Sequence, residues 1–370
     1  MSRLAEHALP RFFEEAAREH AEALASAGEL ERELLVGDSP VRLRFAGSAL
    51  ADALTPAFGP RLRAVASAGA DPADATIGLW EESRVPGGAL APPWGDVDLG
   101  PRGLVRGGGA AVLAVHEAGS RAVTLVHPAA RELLYRVPDV GGLPWWERAA
   151  PLRPALFWAL SRQRRHLVHA GAVGDERRGG VLLAGAGGSG KTTVALAALG
   201  AGMSYVADDY LLLQAEPEPI AWNVYATAKL DAGHLERFPQ MACAARVSAN
   251  PLADEKAVLD VSEWAPRALV RSLPIRAVLV PHIRGGRARL RRTSAGQALL
   301  ALAPSTTFQM PFDDGRAVRS LADVARRVPA FALDVGDHPD ELAQALDEVL
   351  EAVADGERSG RQPAARGVSA

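Results

Sequence analysis

The chain has 370 residues, 48% hydrophobic and 23% charged, an ordinary globular composition long enough for two domains. A net charge of −3 favours neither nucleic acid nor an anionic membrane as partner, and no apolar run approaches the roughly 20 residues of a membrane span. The acid-bearing N-terminus lacks the apolar core of a secretory signal. A single cysteine, Cys243, read as a small buried residue, excludes an internal disulfide and a cysteine metal cluster, so a cytoplasmic location is expected.

In chain order, residues 11–35 read as a helix, "VRLRFAG" (41–47) as a strand and "ALADALTPAFG" as a short helix ended by Gly59 and Pro60. "ATIGLWEE" reads as a strand, and the Pro- and Gly-rich stretch 86–109 as loop. "AAVLAVHEA" and "RAVTLVHPA" form two strands about a Gly-Ser turn. "LPWWERAAPLRPALFWALSRQRR" predicts one helix of about fifteen residues, with Leu156, Trp158 and Leu160 on its apolar stripe. "HLVHAGAVG" follows as a strand, then a turn over Arg177–Gly180, the strand "VLLAG", and alternating elements through "IRAVLVPHI", "SAGQALLALAPS", "AFALDVG" and "HPDELAQALDEVLEAVA". The expected organisation is a mixed α+β domain over 1–147, of use for substrate or partner recognition, an α/β P-loop domain over 148–354, and a disordered tail over 355–370.

The phosphate-binding signal is specific. Gly185, Ala186, Gly187, Gly188, Ser189, Gly190, Lys191 and Thr192 meet the G-x-x-x-x-G-K-[ST] pattern, between a buried-strand run and the helix former "TTVALAAL", which adds Thr193 at its start. Glycines let backbone N–H groups turn toward a phosphate, and the helix N-terminus adds its positive dipole end. Lys191 then reaches the β- and γ-phosphates of ATP, and the Thr192 hydroxyl ligates Mg²⁺.

Asp208 and Asp209 close the next strand, "SYVA", where strand ends line the ligand crevice of an α/β sheet. Neighbouring strand residues point to opposite sides, so one acid suits Mg²⁺ and the other an acceptor hydroxyl as general base. His169, on the strand before the loop, is placed to contact the γ-phosphate or tune an Asp. His166, His234 and His282 have no supporting spacing. Only three of the 41 basic residues are lysine: Lys191, Lys229 and Lys256. In a chain that otherwise uses arginine, Lys229 and Lys256 become candidate site residues, places where a compact ammonium is needed.

The run "HAGAVG…GGVLLAGAGGSGKTTVALAALGAGMSYVADDYLLL" resembles the catalytic domain of the HPr kinase/phosphorylase family, over roughly residues 165–215. With "YATAKLD", "ADEKAVL", "LPIRAVLVP" and "LAPSTTFQMP", it looks closer to the HPr-kinase-like serine kinases of bacterial peptide-tailoring gene clusters, the lasso-peptide kinases among them. The Gly/Arg/Asn-rich signature of true HPr kinases is absent, and residues 1–145 do not resemble their N-terminal domain. The resemblance implies a fold like that of phosphoenolpyruvate carboxykinase and phosphorylation of a serine on a peptide or small protein. It implies Lys191 and Thr192 on phosphate and Mg²⁺, Asp208 as general base, Asp209 as the metal-side carboxylate and His169 near the γ-phosphate. A homo-oligomer is compatible with it. The alternatives are a small-molecule kinase and a nucleotide-binding partner protein without transfer activity. A GTPase switch is disfavoured because no N/TKxD guanine signature is present.

Overall fold

The computed structural model describes residues 7–65, 73–107, 111–161, 165–246, 256–309 and 315–360. Two mixed sheets organise them. The first has seven strands, in the order Leu62–Arg63, Glu29–Val36, Ser39–Ala46, Ala75–Glu81, Glu132–Val137, Val123–His127 and Leu113–His116. The helix Ala8–Ala27 covers one face, burying Leu9, Phe12, Phe13 and Ala16 against Trp80, Leu125 and Leu134.

The expected helix over 11–35 stops at Ala27, because Gly28 turns the backbone to φ 83. The charge-rich run "ELERELLV" is instead a strand, paired antiparallel with Ser39–Ala46 in the register Val36↔Ser39 to Glu29↔Ala46. Gly37 (φ 64) and Asp38 form the two-residue hairpin loop between them.

The single helix of about fifteen residues expected within 143–165 is two, Trp145–Ala149 and Arg153–Leu160. They are divided at Pro151 and at Leu152, which takes a left-handed conformation at φ 60. Leu156 and Leu160 are buried as expected, whereas Trp158 is partly exposed. Cys243, read as buried, is exposed.

The second sheet has nine strands. Its main path runs Ser204–Ala207, Gly171–Asp175, Gly179–Leu183, Ser272–Ile283, Ile220–Asn223, Tyr210–Gln214 and Arg165–His169. Ala330–Val335 lies parallel to Ser272–Ile283 and carries Arg289–Thr293 on its other edge. The strand Gly179–Leu183 runs parallel to Ser272–Ile283, and the helix Lys191–Gly200 leads away from it. That helix and Pro339–Gly360 bury Val194, Leu196, Leu342 and Leu346 on one face of the sheet. Ala295–Gln309 and Arg316–Arg327 cover the other with Leu302 and Leu321. The last helix thus takes in residues 355–360 of the expected tail, and 361–370 lie outside the described residues.

"HLVHAGAVG" is two strands, Arg165–His169 and Gly171–Asp175, separated at Ala170. "SYVADDYLLL" likewise breaks at Asp208 and Asp209, between Ser204–Ala207 and Tyr210–Gln214. The two breaks lie side by side: Ala207 pairs with Ala172 on one side of them, and Tyr210 pairs with His169 on the other. The regular alternation of side chains is interrupted there, and Asp208 and Asp209 take separate partners. A two-stranded antiparallel sheet, Thr227–Leu230 with Ala257–Asp260, lies against these breaks.

One hydrophobic core joins the two sheets. Leu43, Phe45, Ile77 and Leu79 of the first pack with Leu156 and Leu160 and with Leu167, Tyr210 and Leu212 of the second. Among the described residues no helix is long and apolar enough to cross a membrane.

Candidate active site

The strand Gly179–Leu183 leads into the glycine-rich loop. Ala184 N–H donates to Leu279 O (2.8 Å), and the chain leaves the sheet at Gly185. Gly190, at φ 104, starts the helix Lys191–Gly200, and a Cβ there would lie 3.0 Å from Val335 Cγ2. Both the left-handed backbone and the close neighbour demand glycine. Ala186, Gly187, Gly188, Gly190, Lys191, Thr192 and Thr193 border a cavity of about 790 Å³. Gly185 offers its carbonyl to Lys191 Nζ at 2.6 Å, with Ala186 O at 3.2 Å. Burial lowers the Lys191 pKa, against the opposing pull of Asp209 and Asp208. Ser189 Oγ is buried without a hydrogen-bond partner.

The two acids face different partners. Asp208 Oδ2 accepts from Thr192 Oγ1 (3.1 Å) and from Lys229 N–H (3.3 Å), and its Oδ1 accepts from Tyr205 Oη (3.0 Å). Burial and the adjacent Asp209 carboxylate raise its pKa. Asp209 Oδ1 lies 2.6 Å from His169 Nε2, and its Oδ2 accepts from Lys229 Nζ. Burial pushes Asp209 up, but Lys229 and His169 outweigh it and hold it well below the usual carboxylate range. Asp208 therefore sits on the hydroxyl expected to ligate Mg²⁺. Asp209 lies on the far side, between two nitrogen donors. The contacts thus separate the two acids, Asp208 toward Thr192 and Tyr205 and Asp209 toward His169 and Lys229.

Lys229 and Lys256 both border the cavity, so all three lysines of the chain meet there. Burial lowers the Lys229 pKa, but Asp209 outweighs it and the ammonium stays charged. Its Nζ lies 5.0 Å from the Tyr210 ring centroid and 5.8 Å from that of Trp145. Tyr210 Oη donates to Gln309 Oε1 (3.0 Å) and accepts from Arg153 Nη1 (3.4 Å). Arg153 in turn pairs with Glu117 (3.3 Å) and Glu147 (3.4 Å). Burial and the Glu147 carboxylate raise the Glu117 pKa to about 8. A buried polar chain thus runs from the first sheet's edge to the Asp209 carboxylate.

His234, set aside on sequence, also borders the cavity, where its Nε2 lies 3.0 Å from Thr193 Oγ1. Asp231, which caps the helix Ala232–Arg237, holds its Nδ1 at 2.8 Å. Trp145, Tyr210, Arg153, Glu117 and Glu147 carried no functional signal in the sequence. His166 is buried, His282 is exposed, and neither borders the cavity.

These residues fit Mg-ATP. The loop borders a cavity large enough for a nucleotide, and Thr192 with Asp208 forms a hard oxygen pair. Among the described residues no group of three or more His, Cys, Asp or Glu is placed to hold a metal ion alone. Mg²⁺ suits such a sparse set, since it binds through one or two protein oxygens together with substrate phosphates.

No known family's sequence model matches the chain, and no curated protein does. Among solved structures, the Hpr(Ser) kinase/phosphatase from Coxiella burnetii aligns over 53% of this chain and 93% of that chain, at 16% identity and a TM-score of 0.30. A likeness at that level carries no argument about activity.

Proposed function

We propose that this chain is a Mg-dependent kinase that transfers the γ-phosphoryl group of ATP to a hydroxyl, a serine of a peptide or small protein. The observation that carries the proposal is the separation of the two acids: Asp209 borders the cavity between His169 and Lys229, while Asp208 is buried against Thr192. A protein that only binds nucleotide needs a carboxylate on the metal side, and Asp208 on Thr192 supplies it. It has no need of a second, partly buried carboxylate at the cavity, held ionised by Lys229 and His169.

In this mechanism Lys191 leaves the Gly185 and Ala186 carbonyls and turns onto the phosphates, while the loop N–H groups and the helix N-terminus hold them in place. Thr192 and Asp208 would hold Mg²⁺, which would supply positive charge to offset that of the phosphoryl oxygens. Asp209 accepts the hydrogen bond of the acceptor hydroxyl and takes its proton as the oxygen attacks phosphorus. Lys229, fixed between Trp145 and Tyr210, keeps Asp209 charged and oriented. Its ammonium also lies near the negative charge developing on the transferred group.

The test is incubation with γ-labelled ATP, Mg²⁺ and, in separate reactions, a serine-containing peptide library or a set of hydroxylated metabolites. Label in peptide supports the proposal. Label in a metabolite alone makes the protein a small-molecule kinase, and tight ATP binding with no transfer makes it a nucleotide-binding partner protein.

A further inference from the structure

Beside the phosphate cavity lies a groove of about 740 Å³ between the two halves of the chain. Ala53 and Pro56 line it from the first half, Leu143 and Trp145 from the connecting segment, and Thr227 and Val258 from the two-stranded sheet. Its charged groups are largely engaged within the protein. Arg148 donates to the carbonyls of Val140 (2.9 Å) and Leu143 (3.4 Å). Asp260 caps the helix Val261–Trp264, and Arg246 pairs with Glu263 at 3.0 Å. What the groove offers a ligand is chiefly apolar surface.

The groove is continuous with the site. Trp145 borders both it and the phosphate cavity. Thr227 in the groove and Lys229 beside Asp209 stand two apart on one strand, so they share a face at roughly 7 Å spacing. An extended peptide has the same period. If one of its residues presents a hydroxyl at Asp209, the side chain two residues away meets the groove.

We infer that this groove receives a bulky apolar side chain of an extended peptide acceptor, two residues from the serine that is phosphorylated. The inference rests on the kinase reading above and adds to it the local chemistry of the acceptor. A small metabolite would leave the groove empty, and a folded protein could not place a side chain there without first presenting an extended segment.

The experiment uses the full chain, labelled Mg-ATP and a peptide library with a fixed central serine and one flanking position varied at a time. Leu, Ile, Met, Phe or Trp should be enriched at one of the two positions two residues from the serine, with kcat/KM roughly 10–100-fold above the alanine peptide. Ala53→Trp, and Val258→Trp from the opposite wall, should abolish that preference while ATP affinity stays within about threefold of wild type.

Phosphorylated peptides with no apolar preference at those positions would overturn the groove assignment and leave the kinase reading standing. A loss of ATP affinity in both folded variants would assign the groove to the nucleoside and likewise overturn it. If wild-type protein labels no peptide, the kinase reading falls and the groove with it. Where melting curves show that a variant does not fold, the wild-type selection decides alone.

Discussion

Asp209→Asn separates the roles of the two acids. The amide keeps the shape of the side chain but takes no proton, so the acceptor hydroxyl loses its base. Loss of a general base costs about 10²–10⁴ in rate, and the lower part of that range applies here. Burial works to raise the Asp209 pKa, but Lys229 and His169 hold it well below the usual carboxylate range, which makes it a weak base. A loose phosphoryl-transfer transition state also asks more for orientation than for proton abstraction. We therefore expect kcat to fall about 10²–10³-fold, equal to about 3–4 kcal/mol of transition-state stabilisation. The Kd for Mg-ATP should stay within about threefold, because Asp209 does not touch Thr192 or the loop. The buried Lys229 ammonium loses its counter-charge, and breaking such a pair costs about 3–5 kcal/mol of folding stability. The assay therefore pairs single-turnover transfer with calorimetric ATP binding and a melting curve at the assay temperature. Asp208→Asn should behave oppositely, weakening Mg-ATP binding roughly tenfold or more, with activity partly restored by raised Mg²⁺. If folded Asp209→Asn transfers phosphate at near-wild-type rate while Asp208→Asn loses kcat at saturating Mg-ATP, the division of roles is refuted.

Lys191→Ala should raise the Kd for ATP roughly 10–100-fold by removing a charge-assisted contact to phosphate, and titration calorimetry measures it. Glu117 supplies a pH dependence: its folded pKa of about 8 lies above the ordinary 4.5, so between those values the folded protein holds a proton the unfolded chain has released. That contribution to stability is complete below pH 4.5 and is lost as pH rises through 8, at up to about 1.4 kcal/mol per pH unit for one proton. Glu117→Gln, which mimics the neutral form, should flatten the stability profile over this window in urea melts; an unchanged slope would refute the raised pKa. Arg136 is 1% exposed, bonded to Glu19 (3.1 Å) and to Leu90 O (2.8 Å), with its guanidinium over the Phe12 ring. Arg136→Ala strands the buried Glu19 carboxylate and should cost about 3–5 kcal/mol in chemical denaturation, much of it recovered when Glu19→Leu is added.

The glycine-rich loop and the helix after it were legible because their pattern is written at fixed spacing: glycines where the backbone must turn, then Lys191 and Thr192 on the first helical turn. Lysine scarcity singled out Lys229 and Lys256 as candidate site residues, and both border the cavity, while the rest of the chain uses arginine for its basic groups. The strand Glu29–Val36 was misread because alternating Glu and Leu suits a helix surface about as well as a half-buried strand. The Gly37-Asp38 turn carried the missing signal. His234 had a signal as well, in the capping pair it makes with Asp231 three residues earlier. For Trp145, Tyr210, Arg153 and Glu117 there was none. Periodicity can place such residues inside, but only the tertiary fold brings positions 117, 153 and 210 to one carboxylate.

The adjacent breaks in the second sheet explain why this site needs the first half of the chain. In an unbroken strand, Asp208 and Asp209 would face opposite sides of the sheet, and one would enter a hydrophobic core. The break gives both acids polar partners instead, but it sets a buried carboxylate beside a partly buried carboxylate and a partly buried ammonium. Such a cluster persists only if its surroundings fix every member. Thr192 and Tyr205 fix Asp208 from within the second sheet. Lys229 depends on Trp145 and Tyr210, and Tyr210 depends on Arg153, which Glu117 and Glu147 anchor. The Tyr210 ring also belongs to the core that contains Phe45 and Leu79 of the first sheet. The surroundings of Asp209 and Lys229 are thus built jointly by both halves, and on the proposed function this is where the acceptor binds. Changes in the first half that leave the fold intact should therefore alter transfer to the acceptor before they alter ATP binding.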